Sequence, residues 1–485
     1  MSVQALRRES SPSTIEDQLR ATLERQRKAF LQQPNPSLAE RRESLRKLLR
    51  MTLDHQDRIV AAICEDFGNR SPDESRRVEI LPSAFGIRHA ISHLRSWMKP
   101  SRRLANWATW PASARVEYQP LGVVGIMAPW NYPFFLIAGP LTAALAAGNR
   151  AMIKPSELTP KTSALVAELI AKTFPPEQVT VVNGGPEVAQ AFSSLPLDHL
   201  LFTGSTAVGR MVMRAASEHL VPVTLELGGK SPAIIADDYP IAGALDLLVF
   251  GKVVNAGQTC VAPDYLLVPE ARQDEIVAEL RRSVAAMLPK LADNPDFTAI
   301  INARHRARLV AHLDDAREKG ATLLEINPGD ESAERFRETN KLPLTLLLDV
   351  DDTMTAMQDE LFGPILPIKT YKSLDEAIDY VNAHPRPLAA YVFSHARASI
   401  RKVSERIVSG GLGVNVTTLH VGQDNLPFGG VGPSGMGHYH AHEGFKTMSH
   451  HKAVYHQRRP HLLSLIAPPY DSALKRKMIE ILLGR

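Results

Sequence analysis

Gly122-Val-Val-Gly-Ile-Met-Ala-Pro-Trp-Asn-Tyr-Pro133 decides how the chain is read. Its apolar first half, residues 122–128, has the character of a strand buried on both faces, and it stops at a proline-flanked turn. An apolar helix is predicted over 138–147, and the alternation then repeats. Strands are predicted at 151–154, 179–182, within 195–203 and at 223–227, with helices at 161–174 and 207–217. Short buried strands alternating with helices imply an α/β fold with a parallel sheet and right-handed crossovers. Ligands of such sheets sit beyond the carboxyl ends of the strands.

Outward from this core, a second α/β region begins after Gly228. Strands are expected at 233–236, 344–348, 365–371 and 388–394, with another ending at 413–415. Helices are expected around 243–254, 273–288, 303–319, 374–382 and 398–404. Upstream, Ser13-Thr-Ile-Glu16 and Ser37-Leu-Ala-Glu40 match the capping box that satisfies the free amides of a first helical turn. Ile15, Leu19, Leu23 and Phe30 then share one helical face, as do Leu38, Leu45, Leu48 and Leu49, and a further helix is expected over 82–97. Residues 100–119, with Trp107, Trp110, Pro111, Arg115 and Tyr118, read as extended chain. Such an excursion is either an arm toward another subunit or a surface hairpin.

A chain of 485 residues exceeds one simple core and implies two or three domains. Hydrophobic content of 44% and charged content of 22% describe a soluble globular protein. The first fifty residues hold eleven Arg or Lys against six Asp or Glu, but these are interleaved as on a solvated helix face. That pattern argues against a nucleic-acid partner. Arg7, Arg8 and Glu9 are followed by polar sequence, not by the apolar run of a signal peptide. The longest uncharged apolar stretch, 134–147, is too short for a membrane span and is interrupted by Gly139 and Pro140, and 462–467 is shorter still. A cytoplasmic protein with no membrane span is expected.

The chain has two cysteines, Cys64 and Cys260, which leaves no basis for a disulfide framework or a thiolate-bound metal. Cys64 lies in a helical stretch before Gly68 and reads as a packing residue. Cys260 lies in Asn255-Ala-Gly-Gln-Thr-Cys-Val261, after a helical run and a Gly-Gln break. A thiol at an element end is a candidate nucleophile; the competing reading is a small buried hydrophobe.

Several stretches end predicted elements in a fixed order: Pro129-Trp-Asn-Tyr-Pro133, Lys154-Pro-Ser-Glu157, Phe202-Thr-Gly-Ser205 and Glu226-Leu-Gly-Gly-Lys230. Gly257-Gln-Thr-Cys260, Glu360-Leu-Phe-Gly-Pro364 and Pro427-Phe-Gly-Gly430 follow. Together, over roughly residues 15 to 460, they resemble the NAD(P)-dependent aldehyde dehydrogenase superfamily. The tail Gly430-Val-Gly-Pro-Ser-Gly-Met-Gly437, with His438-Tyr-His440 and Phe445-Lys-Thr-Met-Ser-His450, resembles its class 3 branch, and within that the bacterial coniferyl-aldehyde dehydrogenases.

The resemblance implies an aldehyde dehydrogenase fold. Its parts would be a Rossmann-like cofactor domain (1–99 and 120–227), an α/β catalytic domain (228–414), a small β oligomerisation element (100–119 and 415–460) and a C-terminal tail (461–485). A homodimer acting on a small-molecule aldehyde, aromatic such as coniferyl aldehyde or medium-to-long aliphatic, is expected. Oxidising an aldehyde by hydride transfer requires a tetrahedral carbon bearing an oxyanion, which a thiolate supplies by addition; the resemblance gives Cys260 that role. It implies Asn131, with the Cys260 backbone amide, as oxyanion donors, each typically worth about 3–4 kcal/mol. It implies Glu226 as the base that activates water against the acyl-thioester.

For the cofactor, Gly204-Ser-Thr-Ala-Val-Gly209 departs from the G-x-G-x-x-G fingerprint but has the spacing this family uses. The helix N-terminus and the Ser205 hydroxyl would meet the pyrophosphate. Lys154 and Glu157 would bind the adenosine ribose. A carboxylate at Glu157 accepts from a free 2′-hydroxyl and repels a 2′-phosphate, so NAD is expected, with NADP as the alternative. Glu360 and Phe362 would hold the nicotinamide ribose and ring, Pro129 and Trp130 would wall the cleft, and Leu227 and Gly228 complete the cofactor set. Tyr132, His420 and Phe428 are candidates for the aldehyde pocket. Seven histidines fall between His438 and His461, but no metal is expected because hydride transfer needs none. Rival functions are a coenzyme A-acylating dehydrogenase, a cysteine hydrolase and a non-catalytic relative.

Overall fold

A computed structural model of the chain describes residues 14–106, 109, 111–242, 244–459 and 467–484. Ser13, Trp107, Trp110, Gly243, His461 and the apolar run 462–466 lie outside the described residues.

Six strands make the first sheet, in the order Gly435–Met436, Val223–Leu227, His199–Gly204, Val123–Met127, Arg150–Lys154, Val179–Val181. All neighbours are parallel except Gly435–Met436, which joins the edge antiparallel with Gly435 opposite Glu226. The inner strands read as unbroken apolar runs because helices cover both faces. Helix Phe135–Ala147 is almost entirely buried and carries a buried charge at each end. At its start, the Glu79 carboxylate accepts the amides of Phe134 and Phe135 at 3.0 and 2.8 Å. At its end, the Arg41 guanidinium donates to the carbonyls of Ala146 and Ala147 at 3.1 and 2.7 Å. Both charges have the sign that the helix dipole favours.

The second sheet has seven strands in the order Thr322–Ile326, Leu344–Leu348, Ile365–Tyr371, Tyr265–Pro269, Pro232–Ile235, Ala389–Phe393, Gly411–Val414. Only the Thr322–Ile326 pairing is antiparallel. Two of these strands, Tyr265–Pro269 and Thr322–Ile326, are absent from the sequence expectation, as is helix Pro186–Ser193. Tyr265–Pro269 is a fully buried run, which periodicity alone cannot separate from helix. Thr322–Ile326 is a partly exposed edge carrying Glu325.

A third sheet orders Ser101–Arg103, Ala112–Pro120 and Ser449–Gln457. The expectation grouped 415–460 with the 100–119 excursion. Only Ser449–Gln457 joins that sheet, across nine paired positions with Ala112–Pro120. Residues between carry Gly435–Met436 into the six-stranded sheet, while helix Ala441–Thr447 packs on Phe135–Ala147.

Element ends shift by up to three residues from expectation, as where the helix expected over 138–147 begins at Phe135. The first capping box forms one residue later than expected, with the Thr14 hydroxyl accepting the Asp17 amide at 3.1 Å and the Asp17 carboxylate accepting the Thr14 amide at 3.0 Å. The second forms between Ser37 and Glu40 as read. The helix before Cys260 runs Asp246–Val253 and gives way to a tight turn, Val254–Gly257.

Candidate active site

Three turns at the carboxyl edge of the first sheet meet two loops of the second region. They border a cleft of about 900 Å³. Pro129, Trp130 and Asn131 follow strand Val123–Met127, Gly204 and Ser205 follow His199–Gly204, and Glu226, Leu227 and Gly228 close Val223–Leu227. Cys260, Glu360 and Phe362 line the same cleft from the other side. The candidate nucleophile, base and oxyanion donor therefore share one space.

The cysteine loop is strained and heavily pinned. Asn255 and Ala256 both have φ of 50°, a left-handed conformation that costs a non-glycine residue of order 1–3 kcal/mol. Gly257 continues the turn at φ 74°, where a Cβ would come within 2.5 Å of the Gly363 carbonyl oxygen. The Asn255 amide donates to Glu74 at 3.0 Å, and its side-chain amide donates to the carbonyls of Asn131 and Gln258, both at 3.0 Å. The Gln258 side chain bonds Asn255, Ala299 and Ile301 backbone groups, each at 3.0 Å. Part of the Cys260 surface stays open to the cleft, and burial of the rest pushes its thiol up to about 12.

Asn131 is buried, and its Nδ2 donates to the Gln258 carbonyl at 3.2 Å. That uses one of its two N–H groups and leaves the other for a ligand oxygen. Glu226 is buried with neither carboxylate oxygen hydrogen-bonded, and burial raises its pKa well above the usual carboxylate range. A bare buried carboxyl is costly unless something is meant to occupy the space beside it. Tyr439, whose buried hydroxyl also has no partner, lines the cleft nearby.

On the nucleotide side, Ser205 caps helix Thr206–Ser217, its hydroxyl accepting the Val208 amide at 3.4 Å. Gly209 does not line the cleft; a Cβ there would come within 2.5 Å of Leu227, so its part is close helix-to-strand packing. Lys154 and Glu157 pair at 2.8 Å and likewise stand outside the cleft lining. They remain at the same sheet edge, since the Lys154 carbonyl accepts the Ala128 amide at 3.1 Å. Gly228 is obligatory: a Cβ there would overlap the Glu360 carboxyl at 1.9 Å. Burial lifts the Glu360 carboxyl to about 8, with Asp264 adding to the shift. Phe362 holds φ of 51° and sets its ring edge-on to Trp130 at 5.4 Å.

Of the aldehyde-pocket candidates, Phe428 lines the cleft. Tyr132 and His420 do not: the Tyr132 hydroxyl is engaged with Thr259 at 2.6 Å, and His420 lies behind Phe428 with ring centroids 6.4 Å apart. Within the histidine-rich tail, His440 is buried against Phe428, His442 stacks on Trp97, and His450, His451 and His456 lie exposed on the last strand. Among the described residues no group of three or more His, Cys, Asp or Glu is arranged to hold a metal ion.

Sequence reasoning missed a buried charge cluster beneath the site. Arg70 is fully buried and donates to Glu74 at 3.1 Å, to Glu79 at 3.0 Å and to the Asn131 carbonyl at 3.0 Å. His305, against Trp130 at 5.1 Å and pushed down to about 4 by burial, was also missed. Charged residues in and beside helices look solvated in sequence, and nothing local marked these as internal.

The sequence profile of the Aldehyde dehydrogenase family matches residues 9–454. A Pseudomonas aeruginosa protein named "Probable coniferyl aldehyde dehydrogenase" is 52% identical over 467 residues, covering 96% of this chain and 96% of that protein. The substrate-bound state of Staphylococcus aureus AldH superposes with a TM-score of 0.90 at 37% identity, over 96% of this chain and 99% of the other. A Mycobacterium tuberculosis aldehyde dehydrogenase complexed with NAD+ gives a TM-score of 0.82 at 32% identity, over 92% and 91%.

Proposed function

This chain belongs to the aldehyde dehydrogenase family, and we propose that it converts an aromatic aldehyde of the coniferyl type to its carboxylate through a thioester on Cys260. The family reaction is NAD(P)-dependent oxidation of an aldehyde. The observation that carries the assignment of roles is the meeting of Cys260, Asn131 and the unpartnered Glu226 carboxyl in one cleft.

The residues present fit NAD. The capped helix start at Ser205 offers free amides to a pyrophosphate. The Gly228 position admits the Glu360 carboxyl, and Trp130 and Phe362 provide flat walls. When bound, NAD supplies the acceptor for the aldehyde hydride. Ser205 would hold the phosphates, Glu360 the ribose hydroxyls near the ring, and the Lys154–Glu157 pair the adenosine ribose.

The protein's own groups do the rest. Glu226 takes the Cys260 proton, since a thiol pushed up to about 12 is protonated at neutral pH. The sulfur adds to the carbonyl carbon, and the free N–H of Asn131 and the Cys260 amide hold the resulting oxyanion. Once the hydride has left, the carbonyl re-forms as a thioester. Glu226 then removes a proton from water, whose oxygen attacks the acyl carbon; the carbon–sulfur bond breaks and the carboxylate departs. An unpartnered base beside the sulfur favours hydrolysis over transfer to coenzyme A.

The third sheet supports a homodimer, because Ser449–Gln457 leaves one edge without a strand partner among the described residues. Among the described residues no helix is long and apolar enough to cross a membrane. Two free cysteines fit the reducing cytoplasm. An NADH-formation screen over aromatic, aliphatic and semialdehyde substrates, with NAD and with NADP, tests the reading. Highest kcat/KM on an aromatic aldehyde with NAD is expected, and no turnover of any aldehyde would overturn it.

A further inference from the structure

Lys230 lines the cleft four residues beyond Glu226, and a cation in a nucleotide cleft is the obvious partner for a phosphate. Its ammonium is already engaged. A lysine has three N–H donors. Lys230 gives one to the Asp264 carboxylate, one to the Ala356 carbonyl at 2.8 Å and one to the Asp359 carbonyl at 2.9 Å. The Lys230 side chain is 14% exposed and that of Asp264 5%, so water competes little for either. With every donor used inside the protein, Lys230 has none to offer a ligand and acts on the segments it is tied to.

Those ties converge on the segment that carries Glu360. Asp264 accepts the Leu361 amide at 2.9 Å through its other oxygen. From helix Ala303–Glu318, Arg308 donates to the Glu360 carbonyl at 3.2 Å and to the Leu361 carbonyl at 2.6 Å. Main-chain groups of Asp359, Glu360 and Leu361 are thus all held from outside the segment. Such holding is needed, because Phe362 takes a φ of 51°, in the left-handed region that a bulky residue avoids. The outcome is a Glu360 carboxyl set against Gly228, in space that a Cβ there would fill. Asp264 lies four residues after Cys260, so one ion pair joins the cysteine loop, the turn beyond Glu226 and the Glu360 segment.

Building on the reading above that Glu360 holds the nicotinamide ribose, we propose that Lys230 and Asp264 are positioning residues for Glu360. The pair fixes the 359–361 main chain, and through it the Glu360 carboxyl, relative to Cys260 and Glu226. Loss of the pair weakens the grip on the nicotinamide half of NAD and leaves the adenosine half, at Lys154 and Glu157, as it was.

Titration of the nucleotide-free protein with NAD and, separately, with AMP tests this. The proteins compared are the wild type, Lys230→Met, Lys230→Arg, Glu360→Ala, and Lys230→Met combined with Glu360→Ala. Lys230→Met should raise the NAD dissociation constant by about tenfold, as for one lost hydrogen bond to a charged group, and leave that of AMP within about twofold. Lys230→Arg keeps the charge beside Asp264 but cannot direct three N–H groups from one nitrogen, so it should fall between. In the Glu360→Ala background, Lys230→Met should change NAD affinity by less than about twofold, because the residue it acts through is gone. Amide exchange over 359–362 in the nucleotide-free protein should be faster in Lys230→Met than in the wild type. Wild-type NAD affinity in a folded Lys230→Met, equal weakening of NAD and AMP, or effects of the two substitutions that multiply would overturn the positioning role and leave Glu360 as the ribose anchor. Wild-type NAD affinity in Glu360→Ala would overturn the anchor reading, and the positioning role with it. Urea midpoints show which variants keep the fold, and Lys230→Arg carries the comparison if Lys230→Met does not.

Discussion

The Arg70 guanidinium donates to the main-chain carbonyl of Asn131 at 3.0 Å, and the same carbonyl accepts the side-chain amide of Asn255, also at 3.0 Å. One oxygen thus ties the oxyanion-side turn to the cysteine loop. Glu74 closes the circuit, accepting both from Arg70 and from the Asn255 amide. Two left-handed residues in that loop store strain that surrounding contacts must overcome. A buried ion cluster suits this task, because its geometry is fixed and its disruption is expensive.

Arg70→Met should therefore be severe. It leaves Glu79 buried without its cation, a change that typically costs about 3–5 kcal/mol. Arg70→Lys keeps the charge but loses the forked geometry, so it tests positioning with less damage to the fold. Arg70→Lys should lower kcat by about tenfold or more while the NAD dissociation constant stays within about twofold, since one lost positioning contact of 1.4 kcal/mol is a factor of ten. Urea denaturation together with NAD titration separates the effects; a variant with wild-type kcat would show that the tether is dispensable.

Cys260→Ala should abolish NADH formation with NAD binding intact. Glu226→Gln removes the base for both proton transfers, so it should slow thiol addition as well as thioester hydrolysis, cutting steady-state turnover by about 10²–10⁴-fold with NAD binding intact, the usual worth of a general base. Burial holds the Glu226 carboxyl well above its ordinary range, which favours the protonated form that cannot act as a base. Turnover in the wild-type protein should rise with pH through that raised pKa and then level off. The Glu226→Gln variant should lack this limb. Rapid-quench detection of the thioester measures the two steps separately, and an unchanged pH profile in the variant would assign the limb elsewhere.

Much of this architecture was legible before any coordinates. The strands Val223–Leu227 and Leu344–Leu348 fall where apolar runs between turns put them. Cys260, Glu226 and Asn131 could be named because the ordered set of motifs they belong to resembles the aldehyde dehydrogenase superfamily; each alone would have read as an ordinary residue at an element end. The tether of Arg70 to Asn131 could not be named, since it spans 61 positions and depends on how the loop carrying Arg70 folds inward. Gly209 and Tyr132 show the same limit: a motif marks a residue near a site, but only packing tells whether it faces the ligand or the wall behind it.

Strand Ser449–Gln457 is exposed along most of its length and, among the described residues, pairs with Ala112–Pro120 on one side only. A nine-residue edge of this kind is a template for another chain unless it is already paired in the assembly. Sedimentation of the full chain should give a dimer near twice 53.4 kDa. Truncation after Met448 should give monomers, and a full-length protein that sediments as a monomer at micromolar concentration would leave the third sheet without its proposed role.

Acid should destabilise the fold through its buried histidines, and His199 makes the cleanest case. It is 4% exposed, bonded to the Thr224 hydroxyl at 2.9 Å, and pushed down to about 4 by burial. Its folded pKa lies below the unfolded value of about 6.5, so between the two the unfolded chain binds a proton that the native one refuses. The stabilisation is complete above the unfolded pKa and disappears as pH falls toward the folded one. The full span of some 2.5 units corresponds to roughly 3 kcal/mol at most. His440, also pushed down to about 4, acts in the same direction. Glu79 acts oppositely: lifted to about 7, it stabilises most below its unfolded pKa and loses that contribution as pH rises through 7. His199→Gln can keep a hydrogen bond to Thr224 without titrating, so its loss of stability from pH 7 to pH 4 should be shallower than that of the wild type. Urea midpoints across that range measure the difference, and parallel curves for the two proteins would rule His199 out as a source of the acid sensitivity.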